Sequence, residues 1–259
     1  MQKIVIKIGT SSLTHENGKM NYRRIDAMVR VMADLKNKGY EIVLVTSGAI
    51  AIGLGKINLA SRPAGTPAKQ ALAAIGQGSL MAIYEKFFME YGCQVAQVLL
   101  TKSVLEDKTS YNNIVSAFDM MFTYGVIPIV NENDVIATDE IESGGHFGDN
   151  DTLSACIARF IKADLLVNWS DTDGLYSADP RQHPEAKIIP LVTEINESTY
   201  GMASGAGSRR GRGGAVTKLN AAEIAMGAGI DMVITDSGRP EGLYDLLEGK
   251  PVGTLFKAK

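Results

Sequence analysis

Residues 3–12 read KIVIKIGTSS, a run rich in β-branched residues that ends in a glycine and three hydroxyl side chains. Such a run predicts a buried strand, Lys3–Ile8, that ends in a polar loop. From Ile25 the apolar residues recur at helical spacing until Gly39, and Ile42–Val45 is again a short apolar strand. A strand, a helix and a second fully apolar strand in succession indicate a parallel β–α–β arrangement.

The alternation of helix and strand continues along the rest of the chain. We therefore expect one domain over residues 1–259 with an α/β fold, a three-layer α/β/α sandwich around a mostly parallel central sheet. The apolar patterns predict helices at Ala68–Tyr91, Tyr111–Tyr124, Thr152–Lys162 and Ala215–Ala228, and strands at Val95–Leu100, Val126–Val130, Leu165–Trp169 and Met232–Thr235.

Composition excludes several classes of protein. The 259 residues are 45% hydrophobic and 21% charged, which is typical of a globular chain, and the formal net charge is −3. With no global positive field, we expect neither non-specific nucleic-acid binding nor attraction to anionic membranes. No run is long and apolar enough for a membrane span, and the start has no secretory signal pattern, so we expect a cytoplasmic protein. Cys93 and Cys156 form no CxxC pair and are predicted to be buried.

Short polar residues and glycines follow each of five predicted strands. In open parallel sheets, ligands bind beyond the carboxyl ends of the strands, where backbone N–H groups can approach an anion. The alternative is that these residues only form turns and caps. Their repetition favours a polar, anion-binding crevice. The five segments are residues 9–12 (GTSS), 46–49 (TSGA), 131–134 (NEND), 170–174 (SDTDG) and 236–238 (DSG).

Lys7 stands inside the first, otherwise apolar strand. A buried ammonium group is costly without an anionic partner, and a phosphate would supply one. Equally, its stem could lie on the sheet while the ammonium group reaches water. Gly9 and Thr10 follow directly and allow the backbone to turn closely around a ligand.

Two further segments carry more polar groups than turns require. Residues 144–151 (GGHFGDND) place two carboxylates and an amide at a predicted helix start, although one residue suffices for a cap. Residues 201–214 contain six glycines and three arginines and lead into the helix that carries Lys218. That segment could hold nucleotide phosphates, act as a flexible linker, or bind RNA, and the net charge disfavours RNA.

The common nucleotide and metal fingerprints are missing. The sequence has no GxxxxGK[ST], no GxGxxG between a strand and a helix, and no HExxH. The three histidines lie far apart, so we expect no dedicated metal site and only Mg²⁺ carried by phosphates.

In order along the chain, the motifs KIGTSS, VTSGAIAIG, KQALAAIGQ, PIVNENDV, GDNDTLSA, SDTDGLYSADPR and GRGGAVTK resemble the amino acid kinase family. VTSGAIA, NENDV and GDND together resemble its branch that phosphorylates glutamate. The resemblance covers residues 3–256 and implies transfer of the γ-phosphoryl of ATP to the side-chain carboxylate of L-glutamate, the first step of proline synthesis, with Mg²⁺ bound to the nucleotide.

The resemblance also implies roles for individual residues. Lys7 and Lys218 match the two lysines that neutralise the phosphoryl group, and Asp151 matches the acidic residue that orients them. The positions that match the glutamate site are Ser47, Gly48, Asn131, Asp134, Asp149 and Asn150, and those that match the nucleotide site are Lys7, Gly9, Ser170, Asp171, Arg212, Gly213, Gly214, Ala215, Val216, Thr217 and Lys218.

This sequence departs from the family pattern at two places. Ser170 stands where many relatives have threonine, and Arg212 adds a cation beside the expected phosphates. Many relatives continue into a C-terminal PUA domain, which we do not expect here. The resemblance further implies a dimer or tetramer, inhibition by proline, and contact with the next enzyme of proline synthesis. Open alternatives are a kinase for aspartate or N-acetylglutamate, and a non-catalytic sensor of amino acids or nucleotides.

Overall fold

The computed structural model describes residues 2–15, 17–59, 61, 63–101, 104, 107–137, 150–180, 182–204 and 214–259. The strands in these ranges are β1 (Lys3–Ile8), β2 (Glu41–Thr46), β3 (Gln94–Leu100), β4 (Val126–Glu132), β5 (Leu165–Ser170), β6 (Leu191–Val192), β7 (Asp231–Asp236) and β8 (Thr254–Phe256). The helices are α1 (Thr10–Leu13), α2 (Tyr22–Asn37), α3 (Ala49–Lys56), α4 (Thr66–Glu90), α5 (Lys108–Thr123), α6 (Asn150–Phe160), α7 (Glu197–Ser204), α8 (Gly214–Gly227) and α9 (Gly242–Leu247).

The strands form one sheet in the order β3-β4-β2-β1-β5-β7-β8-β6. From β3 to β7 all neighbours are parallel, β8 runs antiparallel to β7, and β6 is parallel to β8. Helices cover both faces of the sheet. The predicted α/β/α sandwich with a mostly parallel sheet is therefore confirmed.

Alternation along the central strands assigns each side chain to one of two cores. On β1, Ile4, Ile6 and Ile8 pack with residues of α2 and α4 on one face. Val5 faces the opposite core, together with residues of α6 and α8. Lys7 follows Val5 by two positions and therefore shares its face, because side chains two apart lie on the same side of a strand. Lys7 thus points toward the helices α6 and α8.

The sequence predicted the long elements to within about three residues and missed the short ones. The unpredicted elements are α1, α3, α7, α9, β6 and β8, which have few residues over which a period can develop. The interpretation of residues 201–214 as one glycine-rich loop was wrong at both ends. The glycine-rich segment 201–214 begins inside α7, which reaches Ser204, and α8 already starts at Gly214. Residues 205–213, the centre of that segment, lie outside the described residues.

Two glycines let α3 cross α4 at very short range. A Cβ on Gly53 would lie 2.0 Å from the carbonyl oxygen of Leu72, and one on Gly76 would lie 1.8 Å from that of Ala49. Both distances are far inside van der Waals contact, so only glycine fits. This crossing fixes the first turn of α3 against α4, beside the end of β2.

Two expectations about single groups can also be compared with the structure. Cys93 is buried as predicted, whereas Cys156, which lies on α6, is only half-buried, so the prediction was wrong for that residue. Within the described part of the chain, no helix combines the length and the apolar character that a membrane span requires.

Candidate active site

Two cavities open at the edge of the sheet where the parallel strands end. The smaller has a volume of about 230 Å³, and its lining includes Thr10, Ser47, Gly48, Asn131, Asp134 and Asn150. The larger has a volume of about 520 Å³, and its lining includes Ser11, Ser170, Asp171, Thr172, Gly214 and Lys218. The loops after β1, β2, β4 and β5 contribute to these linings, as the sequence predicted for a crevice at this edge.

Lys7 and Asp151 form a buried ion pair near both cavities. Lys7 Nζ lies 2.5 Å from Asp151 Oδ1, and the two residues are 7% and 4% exposed. The partner of the buried ammonium group is thus a carboxylate of the protein itself. Of the two interpretations of Lys7 in the sequence, the structure supports the buried cation with an anionic partner and not the lysine that extends to water.

Further hydrogen bonds fix the Asp151 carboxylate. Asn168 Nδ2 donates to Oδ1 at 2.7 Å, and Thr217 Oγ1 donates to Oδ2 at 2.6 Å. Burial by itself would raise the pKa of Asp151. The charges of Lys7 and Lys218 outweigh burial and, together with hydrogen bonds to the carboxylate, hold its pKa below the usual range. The carboxylate is therefore ionised at neutral pH.

Lys218 reaches the site from the first turns of α8. Its Nζ donates to the carbonyl oxygen of Gly214 at 2.9 Å, and the residue lines the larger cavity. Thr217, its neighbour in sequence, is the residue that bonds Asp151. Two lysines and one carboxylate therefore come together where α8 approaches α6.

A network of amides backs the smaller cavity. Asn150 Nδ2 donates to the carbonyl oxygen of Thr46 at 2.9 Å, to Ser47 Oγ at 2.8 Å and to Asn131 Oδ1 at 3.1 Å. Asn131 Nδ2 in turn donates to Gln77 Oε1 on α4 at 2.8 Å. Among the described residues, the buried Asn150 Oδ1 has no hydrogen-bond partner, and Asn150 is part of the lining of this cavity.

The first turn of α3 forms another part of the smaller cavity. Gly48 precedes the helix with φ 108°, a left-handed conformation that favours glycine. Among the residues that the structure describes, no side chain caps this helix start, and Ala49, Ile50 and Ala51 of its first turn line the cavity. Backbone N–H groups at a helix start favour an anion. With the carboxylate of Asp134 also on the wall, the cavity offers groups for both a carboxylate and an ammonium group.

Most of the predicted site residues come together at this edge. Gly9 is adjacent to the lysine of β1, since a Cβ on it would lie 3.6 Å from Lys7 Nζ. Ala215 lines the larger cavity, and Val216 is half-buried in the first turn of α8. Three predicted positions, Asp149, Arg212 and Gly213, lie outside the described residues.

Sequence reasoning missed two amides that contact the site. Asn168 is the only amide in the buried strand LLVNWS, and that isolated polar residue was the signal that could have found it. Gln77 ends the quoted motif KQALAAIGQ but was not assigned to the site. Each bonds a site residue on another element: Asn168 bonds Asp151, and Gln77 bonds Asn131.

Comparisons with known proteins find similar sequences along the whole chain. A family model described as "Amino acid kinase family" matches residues 2–236. A protein of Clostridium perfringens named "Glutamate 5-kinase" is 50% identical over 258 residues, which cover 100% of this chain and 96% of that protein. A "Glutamate 5-kinase" of Caldanaerobacter subterraneus is 48% identical over 98% of this chain and 67% of its own length.

Solved structures share the architecture at low sequence identity. Carbamate kinase from Giardia lamblia bound to AMP-PNP superposes with a TM-score of 0.70 at 16% identity, over 100% of this chain and 99% of that one. The isopentenyl phosphate kinase of T. acidophilum, in a product complex, gives a TM-score of 0.67 at 18% identity, over 99% and 100% of the two chains. At this identity the likeness concerns the fold alone.

Proposed function

The chain belongs to the amino acid kinase family, and from that premise we propose that it transfers the γ-phosphoryl group of ATP to the side-chain carboxylate of L-glutamate. The observation that carries the proposal is the buried pair of Lys7 and Asp151. Asn150, next to Asp151 in the chain, lines the smaller cavity, and Lys218, whose charge acts on Asp151, lines the larger one. The products are L-glutamyl 5-phosphate and ADP. Two relatives with about half of their residues identical bear the name of this activity.

The smaller cavity is proposed as the glutamate site. Asp134 and the unpartnered Asn150 Oδ1 are acceptors suited to the α-ammonium group of a free amino acid. Uncapped N–H groups at the start of α3 suit a carboxylate. Ser47, Gly48 and Asn131 complete this set, and Asp149 is proposed to join it from its position beside Asn150. An acetylated amine would carry no charge to pair with Asp134, which favours a free amino acid.

The larger cavity is proposed as the nucleotide site. Ser170, Asp171, Gly214 and Ala215 line it, and Gly9, Val216 and Thr217 lie beside the lysines. Arg212 and Gly213 are proposed to add contacts to the phosphates. The lining also includes oxygen donors, among them the Asp171 carboxylate, which are ligands that Mg²⁺ accepts together with phosphates and water. When bound with ATP, Mg²⁺ would neutralise part of the phosphate charge.

The proposed reaction needs positioning and charge rather than a base. A carboxylate oxygen of glutamate forms a bond to the γ-phosphorus while the bond from that phosphorus to the ADP oxygen breaks. Because the pKa of the glutamate side chain is about 4, the nucleophile is already ionised and gives up no proton. Lys7 and Lys218 stabilise charge on the transferred group, and Asp151 relieves their mutual repulsion while orienting both.

The proposal is tested by measuring ADP release from Mg-ATP with L-glutamate, L-aspartate and N-acetyl-L-glutamate in parallel. Hydroxylamine is included because it traps an acyl phosphate as its hydroxamate. We expect ADP that depends on glutamate, with an equal amount of hydroxamate. Turnover with only L-aspartate or only N-acetyl-L-glutamate would show that the kinase has a different substrate. No turnover with any of the three acids would overturn the kinase proposal.

The same premise carries proposals about regulation and assembly. We propose that proline inhibits by competing at the glutamate site, that the chain forms a homo-oligomer in the cytoplasm, and that it contacts the next enzyme of proline synthesis. Inhibition that is not competitive with glutamate would overturn the first. A single monomeric species in light scattering would overturn the second.

A further inference from the structure

Asn168 occupies an unusual place for an amide. It lies on β5, the strand between β1 and β7 at the centre of the sheet, and it is 1% exposed. In register it pairs with Lys7 on β1 and with Ile234 on β7. Leu166, two positions before it, faces the core shared with α6 and α8, so Asn168 faces those helices as well.

The orientation of the amide follows from its partner. Asn168 Nδ2 donates to Asp151 Oδ1 at 2.7 Å, and the reverse orientation would set the amide oxygen against a carboxylate oxygen. Lys7 contacts the same Oδ1, whereas Thr217 donates to Oδ2. The two oxygens of the carboxylate are therefore divided between the β-strands on one side and α8 on the other.

The contact between Asn168 and Asp151 leaves one buried polar atom of the amide unsatisfied, and packing alone does not explain why an amide stands at this position. Within the described part of the chain, the buried Asn168 Oδ1 has no hydrogen-bond partner. A leucine has a similarly branched side chain and would leave no orphaned acceptor, so a position that serves packing alone would favour an apolar residue. Residues that are unfavourable for packing are expected at functional sites, where a neighbouring functional group needs them. The group that gains from the amide here is the Asp151 carboxylate.

We propose that Asn168 is a positioning residue for phosphoryl transfer, which fixes the plane of the Asp151 carboxylate between the two lysines. The proposal rests on the proposed function and deepens it. By holding Oδ1, Asn168 keeps Lys7 at one oxygen and turns Oδ2 toward Thr217 and α8. Lys7 then retains donors for the transferred group, because one ammonium hydrogen suffices for the contact with Oδ1.

The test compares Asn168→Leu with the parent enzyme in the hydroxamate assay. We expect kcat to fall roughly 10- to 100-fold, as for a small misplacement of reacting groups, while the KM values for glutamate and ATP stay within about twofold. The matched control is Thr235→Val, which removes a buried polar group from the adjacent strand β7 and should leave kcat unchanged. Asn168→Ala removes the same donor with less bulk and serves if the leucine variant does not fold.

A double-mutant cycle separates positioning from a general loss of structure. If Asn168 acts through Asp151, adding Asn168→Leu to Asp151→Asn lowers kcat no further, whereas a merely structural role multiplies the two losses. Multiplied losses, an unchanged kcat in folded Asn168→Leu, or an effect confined to KM would each overturn the proposal. Absence of glutamate-dependent hydroxamate in the parent enzyme would instead overturn the proposed function, so the two failures are distinguishable.

Discussion

The two lysines of the site are held in opposite ways. Lys7 lies in the central strand β1, buried and paired with Asp151. Lys218 lies half-buried near the start of α8, where its Nζ bonds a carbonyl oxygen of its own helix. Lys7 is itself buried in the core, whereas Lys218 lies at the margin of the core, next to Thr217, whose hydroxyl donates to Asp151. Two groups with the same proposed task can therefore differ greatly in what they contribute to folding.

The largest expected effect is that of Lys7→Ala. Removing the cation leaves the Asp151 carboxylate buried without its closest countercharge, which costs about 3–5 kcal/mol of the free energy of unfolding. The rate constant kcat should fall about 10³-fold, because a donor to the developing charge is lost as well. Urea denaturation and the ADP assay measure the two effects. Unchanged stability would show that the two lysines are not held differently.

Lys218→Ala should affect the rate and spare the fold. We expect kcat to fall about 10²- to 10³-fold, with the free energy of unfolding changed by only about 0.5 kcal/mol and the glutamate KM nearly constant. Lys250→Ala, which removes an exposed lysine after α9, is the matched control and should leave kcat as it is. A change confined to the KM for glutamate would contradict the role in the transition state.

Gly76→Ala should force apart the close crossing of α3 and α4. Its Cβ would lie 1.8 Å from the carbonyl oxygen of Ala49, so α3 must move away from α4, at a cost of about 1–3 kcal/mol. Because Ala49 lines the smaller cavity, the KM for glutamate should rise. Gly78→Ala is the control in the same helix, since a Cβ there meets no atom within 4 Å. It should stabilise by about 0.5–1 kcal/mol, and equal behaviour of both variants would rule out the close crossing.

The buried residues of the site could be predicted from the sequence better than the contacts between neighbouring strands. Lys7 and the run of residues through Asp151 stood out because charge and amides are rare beside apolar strands. The role of Asn168 depends on the register between β1 and β5, which sets Lys7 opposite it, and no local pattern encodes that register. Likewise, β8 has only three residues, which are too few for a period that would reveal a strand. Its antiparallel pairing with β7 is a matter of topology that no local pattern encodes.

The smallest expected effect is on the pH dependence of stability. It tests how strongly Lys7 and Lys218 each act on the Asp151 carboxylate. The pKa of Asp151 is lowered in the folded protein, so its contribution to stability is complete above the unfolded value of about 4. That contribution is lost only as the pH falls further, through the folded pKa. In Lys218→Ala the lowering is weaker, so less stability is lost on acidification. In Asp151→Asn this component is absent.

Urea midpoints of the three proteins between pH 7 and pH 3 measure these differences, since the other carboxylates contribute alike and cancel. We expect parallel curves from pH 7 to about pH 5 and convergence below about pH 4. If Lys218→Ala follows the parent protein throughout, α8 does not act on Asp151, and the carboxylate belongs to the region of Lys7 alone. A parent protein that instead gains stability relative to Asp151→Asn as the pH falls from neutral would mean that burial outweighs both lysines and raises the pKa of Asp151.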